Sequence, residues 1–203
     1  MKENRLVFLA YLAVCFFWGS TYLAIKIGIK FIPPLTFAGI RFLLAGMLMV
    51  LYAYKKGYSF PRTFKAFYPI AIVGGLMLAG GNGLVTIAEV KVASGIASLF
   101  VAMVPLYIAA IESIMVKNVR LSKIGYIGLL IGFVGVYLLV NPSGSSNLIA
   151  FDGVILLLLA GLLWSFGSVY SKYINKDVHI ISSIGLQMMS GGILLLFLGL
   201  ISG

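Results

Sequence analysis

Seven long apolar runs, separated by short polar breaks, make up almost the whole chain. They run from about Leu6 to Ile29, from Pro33-Pro34 to near Tyr54, from Phe67 to Ala88 and from Ala93 to Val116. Three more come after these: Ser122 to Val140, Phe151 to near Ile174, and Ile180 to the end. A helix needs roughly 20 residues to cross about 30 Å of hydrocarbon, and each run is close to that length. The pattern predicts an all-α polytopic membrane protein with seven transmembrane helices. Pro33-Pro34 marks the first turn, and Asn141-Pro142-Ser143-Gly144-Ser145-Ser146 is the clearest linker. Pro105 falls inside the fourth run, where it removes a backbone hydrogen bond and should kink the helix.

Within the runs the polar positions repeat. Residues 17 to 26 read Phe-Trp-Gly-Ser-Thr-Tyr-Leu-Ala-Ile-Lys, and residues 163 to 172 read Leu-Trp-Ser-Phe-Gly-Ser-Val-Tyr-Ser-Lys. An ungapped offset of 146 puts Trp18 on Trp164, Lys26 on Lys172, Arg41 on Gln187 and Gly46 on Gly192. This is the mark of a duplicated helix bundle. The first unit is expected over residues 1–143, with five helices. The start of a second is expected over 144–203, with two helices, so that three are expected to be missing.

Charge in the breaks sets an orientation. Eleven of the fifteen basic residues fall on one side if the N-terminus is cytoplasmic: Lys2, Arg5, Lys55, Lys56, Arg62, Lys65, Lys117, Arg120, Lys123, Lys172 and Lys176. The linker after the fifth run has none. Basic residues favour the cytoplasmic side. Five helices per unit is an odd number, so the second unit is expected to enter the membrane inverted.

Composition narrows the classes further. The chain is 62% hydrophobic and 10% charged, with mean hydropathy +1.12, which leaves too little polar surface for a soluble domain. Its 24 glycines would weaken soluble helices, but in membranes they let backbones approach closely. The net charge of +10 is spread over short loops and offers no continuous basic face for nucleic acid. Cys15 is the sole cysteine, which rules out an intrachain disulfide, and is expected to be a small packing residue. The basic N-terminus imitates a signal peptide, but the apolar run continues into aromatics, so a retained helix is expected. His179 is the one histidine and lies in a loop, and there is no Walker loop. Neither an enzyme, a metal site, a cofactor nor an ATP-driven pump is expected.

The candidate chemistry lies in the apolar runs. Trp18, Tyr22 and Lys26 are spaced i, i+4, i+8 and share one helix face. That face either lines a binding cavity or forms an interfacial belt with a snorkelling lysine. Trp164, Ser168 and Lys172 form the matching face. Arg41 lies about eight residues, or roughly 12 Å, inside the second helix. A charge at such depth costs about 2.5–3.5 kcal/mol, so it should face protein or water. Its planar fork suits a carboxylate; the alternative is a structural pairing with a carbonyl or with Glu89. Asn82 sits among Gly80, Gly81 and Gly83, which either loosen the helix for a ligand or pack it closely. Gln187 is the uncharged counterpart of Arg41.

Three further features bear on chemistry and packing. Glu112 is expected to form an interfacial ion pair, with Lys117 in reach. Glu89, close to Lys91, is the better candidate for proton coupling, a role that needs a buried carboxylate. Gly125, Gly128, Gly132 and Gly135 form a small-residue stripe expected to pack helices, within the chain or in a homodimer.

Several segments together resemble the EamA family of the drug/metabolite transporter superfamily. They are Trp18-Gly19-Ser20-Thr21-Tyr22, Pro33-Pro34-Leu35-Thr36-Phe37-Ala38-Gly39-Ile40-Arg41-Phe42, Gly81-Asn82-Gly83, and Ala93-Ser94-Gly95-Ile96-Ala97-Ser98 with Pro105 after it. Gly132-Phe133-Val134-Gly135-Val136 and Trp164-Ser165-Phe166-Gly167-Ser168 continue the likeness. The resemblance implies ten helices in two inverted five-helix repeats, an inner-membrane location and export of small metabolites or drugs. A secondary transporter working by alternating access about a midplane cavity is therefore expected. The expected substrate-binding residues are Arg41, Trp18, Tyr22, Lys26, Asn82, Trp164 and Gln187, with a small-molecule substrate and the lipid bilayer as partners. A fragment or a non-transporting membrane scaffold stays open as the alternative.

Overall fold

The computed structural model describes residues 2–116, 121–140, 151–174 and 177–202, and every regular element in them is helical. The first span is α1 (Lys2–Gly28) and the second α2 (Pro34–Lys55). The third joins α3 (Phe64–Gly74), a π-helical stretch (Gly75–Asn82) and α4 (Gly83–Lys91). The fourth consists of α5 (Ser94–Val101) and then α6 (Val104–Met115). Then come α7 (Lys123–Val140), α8 (Phe151–Ser171) and α9 (Ile180–Ser202). Among the described residues, six spans are long and apolar enough to cross a membrane, and α7 adds an apolar helix of 18 residues. The linker from Asn141 to Ser146, and Lys117, Arg120 and Lys176, lie outside the described residues.

Local chemistry sets the turns. Pro34 opens α2 at a position whose N–H has no partner in any helix. At its end, Gly57 takes φ +70°, a left-handed conformation that glycine adopts without strain. The Tyr58 N–H then reaches back to the Ala53 carbonyl at 3.0 Å. Thr63 caps α3 by accepting the Ala66 N–H at 3.3 Å. His179 caps α9, accepting the Ile181 N–H through Nδ1 at 3.3 Å. Its own N–H goes to Ser59 Oγ at 2.9 Å, and its ring stacks on Tyr58 with centroids 3.7 Å apart. The end of α2 is thereby held to the start of α9.

The most extensive helix contact is between these two. They run antiparallel at a separation that only glycine allows. A methyl group at Gly192 would lie 2.7 Å from the Leu43 nitrogen, and one at Gly46 would lie 2.8 Å from the Met189 nitrogen. The close approaches are reciprocal: Gly39 faces the Gly192 carbonyl, and Gly46 faces the Gly185 carbonyl. Gly39 and Gly46 carry the same 146-residue offset to Gly185 and Gly192.

The third span packs on this pair and links it to the other helices. The third packs on α8, and α1 touches α4 and α5 from the outside. A buried apolar cluster (Tyr22, Val85, Ala88, Phe100, Leu157 and Ala160 among its members) joins α1, α4, α5 and α8. Cys15 is exposed on the outward surface of α1 rather than packed, because α1 is a peripheral helix. In the glycine stripe of α7, a methyl group at Gly132 would meet Leu106, while one at Gly128 or Gly135 would meet no other helix among the described residues.

Candidate functional site

Two breaks in helical regularity frame a cavity. Pro105 has no N–H for the Val101 carbonyl, and the fourth span is interrupted at Ala102 and Met103. The third span widens to π geometry from Gly75 to Asn82, where its glycines also press on α8. A methyl group at Gly80 would lie 2.8 Å from Leu163, and one at Gly81 2.8 Å from the Trp164 ring. The segment is thus both widened and closely packed on α8. The extra residue in the π turn rotates α3 relative to α4, and Asn82 sits where the π geometry ends.

Between these breaks lies a cavity of about 470 Å³. Phe17, Trp18, Thr21, Tyr22 and Ile25 of α1 line one side. Arg41 and Ala45 of α2, Asn82 and Val85 of the third span, Trp164 of α8 and Met188 of α9 complete most of the wall. An adjoining hollow of about 420 Å³ shares Trp18, Tyr22, Val101, Val104 and Trp164 and opens along the broken fourth span to Pro105.

The polar inventory is small. Arg41 Nη2 donates to Asn82 Oδ1 at 3.4 Å, and the guanidinium carbon lies 4.7 Å from the centroid of the Phe42 ring. A guanidinium has five N–H donors, and the bond to Asn82 uses one of them. Trp18 Nε1 donates to the Tyr22 hydroxyl at 3.3 Å, and the Thr21 hydroxyl is taken by the Phe17 carbonyl at 2.8 Å. The Thr86 hydroxyl donates to the Asn82 carbonyl at 2.8 Å. The cavity thus combines one cation with open donor positions and a wall of aromatic and aliphatic groups. Chemically, such a wall is complementary to a group that is anionic at one end and apolar at the other.

Of the residues singled out from sequence, Trp18, Tyr22, Arg41, Asn82 and Trp164 converge on this cavity. Lys26 and Gln187 stand outside its wall. The Lys26 ammonium donates to the backbone carbonyls of Glu89 and Val92 (the latter at 2.9 Å), at the C-terminal end of α4. A cation there satisfies carbonyls that the helix leaves open and meets the negative end of its dipole. Gln187 Nε2 donates to Ser183 Oγ at 3.2 Å within α9, because the glycine face turned to α2 rotates Gln187 toward the third span. Its neighbour Met188 lines the cavity instead.

Two ion pairs among the described residues join different spans. Glu112 pairs with Lys172, and Lys91 pairs with Asp152. Glu89 pairs with neither Lys91 nor Arg41 and is fully buried. Phe17, Val85, Val101 and Met188 line the cavity without having been singled out. Ordinary apolar residues in an apolar span carry no signal of their own.

The chain matches the EamA-like transporter family over residues 5–141. It belongs to that family. Among the relatives of this EamA-family chain is YedA, an uncharacterized inner membrane transporter of Escherichia coli strain K12. It is 36% identical over 198 residues, which are 97% of this chain and 63% of that protein. The uncharacterized transporter YvbV of Bacillus subtilis strain 168 is 30% identical over 200 residues, covering 98% of this chain and 63% of YvbV. A probable amino-acid metabolite efflux pump of Salmonella typhimurium is 28% identical over 171 residues, 83% of this chain and 54% of that protein. The chain therefore spans less than two thirds of the length of these relatives. No solved structure gives a significant match.

Proposed function

We propose that the protein serves as a secondary membrane transporter that exports small organic anions, metabolites or drugs, through the cavity at Arg41. The observation that carries this reading is the Arg41 guanidinium, held in an aromatic-lined cavity by a single side-chain hydrogen bond to Asn82. Charge at such a depth is costly and is retained where it meets a ligand or a partner. Trp18 and Trp164 offer flat apolar surface for the rest of the ligand. The names of the relatives support transport, and the Salmonella relative's name supports export.

Alternating access about this cavity agrees with the pairing of α2 and α9. In two related helices crossing at a two-fold axis, position i of one meets position j of the other, and j meets i. Gly39 with Gly192 and Gly46 with Gly185 have that relation under the 146-residue offset. Residues 1–143 then form one five-helix repeat, and residues 144–203 begin its inverted copy. The YedA name and the charge of the breaks support an inner-membrane location with the N-terminus in the cytoplasm.

The transport reading is tested by comparing metabolites released from cells that express the wild-type protein or Arg41→Ala at matched membrane levels. Export is expected from the wild type and lost in the variant; equal export by both removes Arg41 from the site. The topology is tested with reporter fusions, expected cytoplasmic at Ser59 and external at Ser145. The opposite signs would sink the inverted repeat.

A further inference from the structure

One buried group takes no part in the cavity wall or in any ion pair. Glu89 is wholly shielded from solvent, and neither carboxylate oxygen has a hydrogen-bond partner. It lies one helical turn beyond Val85, which lines the cavity. Its own backbone carbonyl is occupied by Lys26. Its neighbours along the chain, Val85, Ala88 and Val92, are apolar and buried. An ionised carboxylate in such a place normally collects N–H or O–H donors, because burying a bare charge is costly.

The groups that act on Glu89 come from two helices. Lys26 of α1 and Arg41 of α2 exert electrostatic attraction on it, and Tyr22 of α1 is the other titratable group facing it. On its own helix, Lys91 points outward to Asp152 of α8. Neither α5 nor the π-helical stretch carries a titratable side chain. Both cations are engaged by other groups, Lys26 by backbone carbonyls and Arg41 by Asn82, so neither closes an ion pair with the carboxyl.

We propose that Glu89 is a proton-binding site inside the membrane-spanning bundle, whose occupancy answers to the charge on Arg41. The buried, unpartnered carboxyl beside the cavity carries the claim. A metal cation is the poorer occupant. Lys26 and Arg41 would repel it, and among the described residues no cluster of acidic, histidine or cysteine ligands is present. Coupling to the cavity arises from shared charge. A ligand anion that neutralises Arg41 weakens its hold on the Glu89 anion and so favours the acid, and protonating Glu89 leaves Arg41 freer for the anion. Only this last step rests on the anion-transport reading; the proton site itself does not.

The test uses the whole protein in lipid vesicles with dicyclohexylcarbodiimide, which reacts with protonated carboxyl groups in apolar surroundings. The adduct is located by peptide mass spectrometry across a pH series. Labelling at Glu89 is expected at low pH, falling about tenfold per unit above its midpoint. Arg41→Gln is expected to move that midpoint to higher pH, because a cation that stabilised the anion is gone. Sodium ion at fixed pH is expected to give no protection. Absence of a Glu89 adduct at low pH, labelling that ignores pH, or protection by sodium would each overturn the proposal. The measurement needs no transport, so Glu89 labelling beside an unchanged export phenotype in Arg41→Ala would defeat the anion-transport reading alone.

Discussion

Trp18 to Lys26 and Trp164 to Lys172 share a pattern but divide their labour differently. Both tryptophans face the cavity. Both lysines leave it for the end of another span, and there the likeness stops. Lys26 caps the carbonyls that close α4, whereas Lys172 meets the Glu112 carboxylate. Lysines 146 positions apart, each eight residues after a tryptophan, thus serve as a backbone clamp in one place and as half of an ion pair in the other.

The difference predicts unequal costs. Lys26→Met deprives two carbonyls of a charged donor in a half-buried setting and should cost about 1.5–3 kcal/mol. Lys172→Met breaks a pair whose lysine is 51% exposed, and should cost no more than about 1 kcal/mol. Thermal unfolding of the two variants in one lipid or detergent environment ranks them. A larger loss from Lys172→Met would break the comparison.

Much of the architecture is readable along the chain. Span lengths, the turn at Pro33-Pro34 and the break near Pro105 come from local physics, and they appear where the pattern puts them. The convergence of Trp18, Tyr22, Arg41, Asn82 and Trp164 is signalled by polarity in apolar runs. Rotation about the helix axis is not. Gln187 and Met188 are adjacent, and only packing of the Gly185 and Gly192 face on α2 decides which one meets the cavity. The ion pairs join residues 60 and 61 apart, beyond the reach of local spacing, which makes Lys91 look like the natural partner of Glu89. Nor can spacing show that Glu89 is enclosed without a donor.

That pair of adjacent residues, Gln187 and Met188, gives the most direct test of the cavity. Cys15 is the sole native cysteine, so Cys15→Ala supplies a background in which Met188→Cys and Gln187→Cys can be compared. An anionic, water-soluble methanethiosulfonate is the probe. Fast modification of Met188→Cys, slowed when Arg41→Gln is added, with slow modification of Gln187→Cys, is the predicted result. Equal rates at the two positions, indifferent to Arg41, would contradict a solvent-accessible cavity built around that arginine.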